Sequence, residues 1–411
     1  MINVEKTKSA EILIALTVVI SLMCVLSAMP VQARDITELH IGYQPSTHQI
    51  AHMTAMENGW WAEDLKRFGI EKVTDSVFSS GPPEMIAMMA GELDVAYVGT
   101  APPITAIDKG LDAKIVAAVQ TNGSAIVLSP ELAASYTSPE DLKGLKIATF
   151  PKGSIQDTIL RKWLMDNGLD PVEDIEIIGM GPGEAITEIG AEVLDGVFLP
   201  APSPTIIELD GTGEIVVYSG EMWPNHACCC LLVSDELIEE HPELVEQIVR
   251  THINATEYNM VHVEEAAEIY VKKVVGADIE MVKESLKSWD GAWIFNPHLE
   301  INSTLEYAKV DYEMGYTDKL LTADDLFDTS FYDKIMAGPT PTPEATPTLT
   351  PPAPPVSSPA ITPSPTPVQP PPTTPAPTPA PTPTPPTSGF TAVFAIAVVF
   401  AVAYIILRRR A

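Results

Sequence analysis

Residues 79–106 read SSGPPEMIAMMAGELDVAYVGTAPPITA. Two proline pairs, Pro82-Pro83 and Pro102-Pro103, each follow small residues that include a glycine, and each lead into an apolar run. Proline has no N–H to donate, so a helix tolerates it in the first turn, where that donor is unpaired anyway. The pairs therefore read as helix openers and not as linker fragments. Between them, LDVAYVGT has the length and β-branched content of a buried strand. The stretch predicts turn, helix, strand, turn, helix, which is one and a half βα units of a parallel α/β sheet.

The same alternation extends on both sides. LHIGYQ reads as a strand, IAHMTAMENGWWAEDL as a helix closing near Gly69, VTDSVFSS as a strand and AKIVAAVQT as another. A second series follows from Ser124 to about Met222. It holds the strands of DLKGLKIATF, IEIIGM, GVFLPA and EIVVYSG, with helices at GSIQDTILRKWLMDNG and GEAITEIGAEVL. After Asn225 the chain gives one strand, ACCCLLVS, and then helical spacing to about residue 335. The later helices have no sheet of their own and must pack on an earlier lobe. The prediction is an α/β fold of two lobes, 34–123 plus 233–337 and 124–232, joined by two crossings. The cleft between such lobes is the default ligand site.

The ends differ in composition. Lys6 and Lys8 precede an apolar run from Ile12, and Val31-Gln32-Ala33 offers small residues for cleavage, so 1–33 reads as a secretory signal peptide. Of the chain's 39 prolines, 22 fall between Pro339 and Pro386. Segment 338–388 is therefore expected to be a disordered, extended Pro/Thr stalk. Thr391 to Leu407 is apolar and Arg408–Arg410 follow, so 389–411 is expected to form a C-terminal transmembrane helix or sorting signal. Together these predict a chain exported and anchored at the extracellular face of the cell membrane. The formal net charge of −31 excludes nucleic acid as a partner. It also requires that an anionic ligand be held by local donors.

Those donors are sought at strand ends. Helix N-termini carry unpaired N–H groups and partial positive charge. Ser80-Gly81, Thr100-Ala101 and Gly153-Ser154-Ile155 are the candidates, with Gln44, Ser46 and His48 after the first strand adding side-chain contacts. The competing reading is that Ser80, Thr100 and Ser154 only cap their own helices. Each proline pair deletes two lobe-one donors, so lobe two is expected to be the richer source of N–H groups. His48 and His52 are spaced to share a helix face, but no Asp or Cys supports them as metal ligands by spacing. Cys228-Cys229-Cys230 read as small buried residues, since on a regular strand Cys229 faces away from its neighbours. A metal or redox role is the weaker alternative. No cofactor and no metal are expected, and no catalytic triad, phosphate loop or carboxylate pair stands out, so the chain is not read as an enzyme.

Taken jointly, HIGYQPSTHQIAHMTAMENGWW, the 79–106 stretch with its continuation, EDLKGLKIATFPKGSIQDTILRKWLMDNGLD and PNHACCCLLVSDELIEEHPELV resemble one family. It is the nitrate/sulfonate/taurine family of ABC-transporter solute-binding proteins. The resemblance spans about Leu39 to Arg250. It implies a type II periplasmic-binding-protein fold, a small-molecule ligand such as an aliphatic sulfonate, taurine or nitrate, and an ABC permease as partner to a monomeric receptor. Leu199-Pro200-Ala201-Pro202 stands where many members carry an aromatic and an acidic residue, so ligand identity does not carry over. A related branch, the thiamine-pyrimidine synthases, carries Cys-Cys-Cys-x-Cys, of which Leu231-Leu232 here break the last part. Precursor binding or synthesis of that type, and a surface sensor of the same fold, are the alternatives.

Overall fold

The computed structural model describes residues 36–274 and 276–338. All of them fall within one unit, Met1–Pro343. The chain first lays down β1 (Glu38–Tyr43), β2 (Lys72–Val77), β3 (Val95–Gly99) and β4 (Ala113–Thr121). It crosses over to β5 (Ser124–Leu128), β6 (Lys146–Thr149), β7 (Glu176–Gly179), β8 (Gly196–Pro200) and β9 (Glu214–Tyr218), then returns as β10 (Ala227–Ser234) and a short β11 (Ala292–Trp293). Two sheets result, in the orders β11-β4-β10-β3-β1-β2 and β7-β6-β8-β5-β9. In the first, β1 runs parallel to β2 and β3, while β10 is antiparallel to β3 and β4. β10 thus belongs to the first sheet, and a lobe division at 232/233 runs through it.

Both proline pairs open helices. Pro82-Pro83 stand in the first turn of helix Gly81–Met89 and Pro102-Pro103 in that of Ala101–Asp108. The two turns also pack on each other, because a Cβ at Gly81 would overlap the Pro102 ring. β3 between them is buried at every residue, as a central strand covered on both faces must be. The single helix expected over 50–65 is divided. Helix Ile50–Glu57 ends at Asn58, Gly59 takes a left-handed φ of 72°, and Trp60–Leu65 starts anew. The turn at Gly59 lets Trp61 reach the core, where it is 1% exposed.

The crossings form a hinge. β4 passes to β5 through Asn122 and Gly123, both at positive φ (54° and 83°). Asp290 ties this crossing to the second one. Its Oδ1 accepts from Gly123 N (2.9 Å) and its Oδ2 from Gly220 N (2.6 Å).

Two expectations are corrected here. Among the described residues no helix is long and apolar enough to cross a membrane. The longest, Pro242–Val261, carries Glu243, Glu246, Arg250 and Glu257 and is apolar on one face only. The expected C-terminal transmembrane helix, and the anchored extracellular localisation built on it, are therefore withdrawn. Segment 389–411 itself, the expected signal peptide over 1–33 and the expected stalk beyond Gly338 lie outside the described residues.

Candidate functional site

The lobes meet across their strand ends. Thr47, just after β1, donates to the Ala201 carbonyl beyond β8 through its N–H (3.4 Å) and its hydroxyl (3.1 Å). Ile155 of lobe two packs on Gly99, where an added Cβ would lie 3.1 Å from Ile155 Cγ2. Thr158 on helix Ile155–Asp166 donates to Asp311 on helix Ile301–Glu313 (3.3 Å).

Beside the Thr47–Ala201 contact lies a cavity of about 400 Å³. Lobe one contributes Gln44, Ser46, Ser79 and Tyr270; lobe two contributes Phe150, Ile186, Ser203 and Ile206, with Pro200 and Pro202 flanking. Its wall is apolar, its rim carries hydroxyls, and no charged residue is among its described lining residues. Helices Pro182–Gly190 and Ser203–Leu209 both begin at this wall. Tyr270 donates to the Pro45 carbonyl (3.0 Å), which pins the loop after β1. Burial pushes its phenol well above the usual range.

The ten residues singled out from sequence separate into groups. Gln44 and Ser46 line the cavity. The Gln44 amide is held by Glu84 (2.6 Å) and its N–H by Gln49 Oε1 (2.6 Å). The three helix starts do come together, but the space between them is filled. Gly81 lies under Pro102, and Ala101 is fully buried. Three of their donors are also spent: Thr100 N on Cys228 O (2.9 Å), Gly153 N on Asp157 Oδ2 (3.1 Å) and Ser154 N on Pro151 O (3.0 Å). Ser154 caps its helix by accepting from Asp157 N (3.3 Å), whereas neither Ser80 nor Thr100 makes a side-chain cap. Ser79 stands in the cavity rather than Ser80, and Gly153 lines a second cavity of about 350 Å³ with Lys109 and Lys152. The Pro200–Ser203 turn and Tyr270 were missed. The turn had drawn notice only as a family departure, and Tyr270 sits in an ordinary amphipathic helix 64 residues past Ile206, lobe two's last residue of the cavity.

His48 turns away from the cavity, into the wall of lobe one. Its Nε2 meets the Gly123 carbonyl (3.0 Å), and its Nδ1 meets the sulfurs of Cys228 (3.3 Å) and Cys229 (3.9 Å). His52 goes elsewhere, to Asp75 (3.4 Å). The expected alternation of the cysteines fails for a physical reason. The β10–β4 pairing shifts register between Ala227 and Cys229 and again between Cys229 and Cys230, and such a bulge re-aims side chains. The Cys228 thiol holds Cys229 below the usual thiol range, with His48 acting the same way, while burial pushes Cys228 well up.

Residues 32–274 match the model of the NMT1-like family. The chain belongs to the NMT1-like family. A putative aliphatic sulfonates-binding protein of Bacillus subtilis is 27% identical over 303 residues, 74% of this chain and 89% of that one. The alkanesulfonate-binding protein SsuA from Xanthomonas axonopodis pv. citri, solved bound to MOPS, superposes with a TM-score of 0.62 at 21% identity, covering 72% of this chain and 99% of that one. The nitrate-binding protein NrtA from Synechocystis gives 0.64 at 16%, covering 73% and 88%. At these identities the structural likeness establishes the fold, the two-lobe periplasmic-binding-protein type II architecture. This NMT1-like chain is thus related to the solute-binding proteins of ABC importers.

Proposed function

We propose that the chain delivers a small organic anion with an apolar body, of the alkanesulfonate kind, to an ABC permease. The cavity's composition carries this reading. Phe150, Ile186 and Ile206 offer an alkyl or aryl group about 400 Å³ of space. The hydroxyls of Ser46, Ser79 and Ser203, with the N–H groups of Gly183 and Ser203 beside the donorless Pro182 and Pro204, suit a sulfonate head. Nitrate would leave the apolar wall unused. Taurine would bring an ammonium group to a cavity with no carboxylate among its described lining residues, and burying an unpaired charge is costly. The sulfonate-binding relative from Bacillus subtilis agrees with this choice.

A thermal-shift panel on the purified chain tests it. Ligand at a hundredfold excess over Kd stabilises by about 2.7 kcal/mol, which moves the melting point by several degrees. An alkanesulfonate should do this, and taurine and nitrate should do so less or not at all. Stabilisation by nitrate with none from any sulfonate overturns the proposal.

A further inference from the structure

The cluster of His48, Cys228 and Cys229 has no part in the cavity, and its geometry is that of a metal site. Nδ1 of His48 and the two sulfurs all lie within 4.8 Å of one another. In a tetrahedral zinc site, with Zn–S about 2.3 Å and Zn–N about 2.0 Å, neighbouring S and N ligands stand about 3.5 Å apart. The two nitrogen–sulfur distances here, 3.3 and 3.9 Å, straddle that value.

The ring's other nitrogen supplies a second, independent observation. A carbonyl can only accept, so the contact with Gly123 O puts the proton of neutral His48 on Nε2. The Nδ1 lone pair then faces the thiols. A ligating histidine is ordinarily fixed in this way by a carbonyl behind it. Behind Cys229, Gln49 donates to the sulfur (3.8 Å) and also accepts from Gln44 N. Gln44 in turn holds the buried Glu84, whose Oε1 has no hydrogen-bond partner. The three residues are fully buried, and neither Lys nor Arg is among their described hydrogen-bond partners, which suits a cation.

We propose that His48, Cys228 and Cys229 bind one zinc ion in the hinge wall of lobe one. Two thiolates and a neutral imidazole balance its charge, which suits full burial. The two thiol protons leave to solvent as the ion enters, and no oxidation state changes. Three protein ligands leave the fourth tetrahedral position to water. All three residues are at most 4% exposed, so entry takes place when the Thr47–Ala201 contact opens.

Cobalt(II) is the probe. The purified full chain, reduced and stripped with a chelator, is titrated with cobalt and then with zinc. One equivalent should give a thiolate-to-cobalt charge-transfer band with tetrahedral d–d bands, and one equivalent of zinc should erase both. Cys229→Ser should weaken zinc binding by about tenfold or more. Cys230→Ser, outside the cluster, should leave it unchanged. Absence of the charge-transfer band in the native chain overturns the site whatever the variants do, and so does equal weakening by the two substitutions.

Discussion

Gly123 concentrates the demands of the hinge on one residue. Its φ of 83° disfavours any side chain, and a Cβ there would overlap Gln120 and come within 2.8 Å of His48 Nε2. Gly110 has a comparable φ of 99° but open space around it. Gly110→Ala should therefore cost only the backbone strain, about 1 kcal/mol, whereas Gly123→Ala should cost about 2–3 kcal/mol. Urea denaturation of the two variants measures the difference, and equal losses would contradict the steric account. The positive φ at Gly123 was not legible in the sequence. Asn-Gly announces a turn, but beyond the nearby Gln120 the crowding comes from His48 and Trp289, 75 residues before and 166 residues after it. The proline pairs were legible because their rule is local. A missing N–H matters within one turn of the proline itself.

At the scale of elements, the helix openers set how closely the lobes approach. Gly99 ends β3 and meets Ile155 at the start of helix Ile155–Asp166. Gly99→Ala makes this contact too tight by a few tenths of an ångström and should hold the lobes apart. We expect ligand affinity to fall several-fold with little loss of stability, and Ile155→Ala in the same chain to restore it, since coupled neighbours are non-additive. Additive losses, read by titration calorimetry, would show that the contact does not govern closure. Strands and helices were readable from periodicity, but their faces were not where pairing is irregular. The turn of Cys229 toward His48 depends on the register of β10 against β4, and register is set by a partner strand more than 100 residues away. The helix starts converge, Gly81 on Pro102 and Gly99 on Ile155. That Ile155 and Pro102 fill the space between them, moving the open volume to the Pro200–Ser203 turn, follows from side-chain packing that no local pattern encodes.

For the molecule as a whole, closure buries ionisable groups between the lobes. Asp311 accepts from Thr158 across them, and burial pushes its carboxyl from 3.8 up to about 7. The folded chain keeps a proton there that the unfolded chain has lost, so stability falls as pH rises between those two values. The effect is fully present below the lower value and amounts to at most about 4 kcal/mol. Asp311→Asn should flatten the fall in melting temperature between about pH 4 and pH 7. An unchanged slope would assign the pH dependence to other groups.

The central claim is that the interlobe cavity receives an organic anion with an apolar body. Calorimetric titration of one alkanesulfonate into the native chain and into Ile206→Asp tests it most directly. The native chain should bind one equivalent. The variant, folded by circular dichroism, should lose binding by about a hundredfold or more, since its carboxylate faces both the apolar body and the like charge of the ligand. Equal affinity for the two chains would contradict the account.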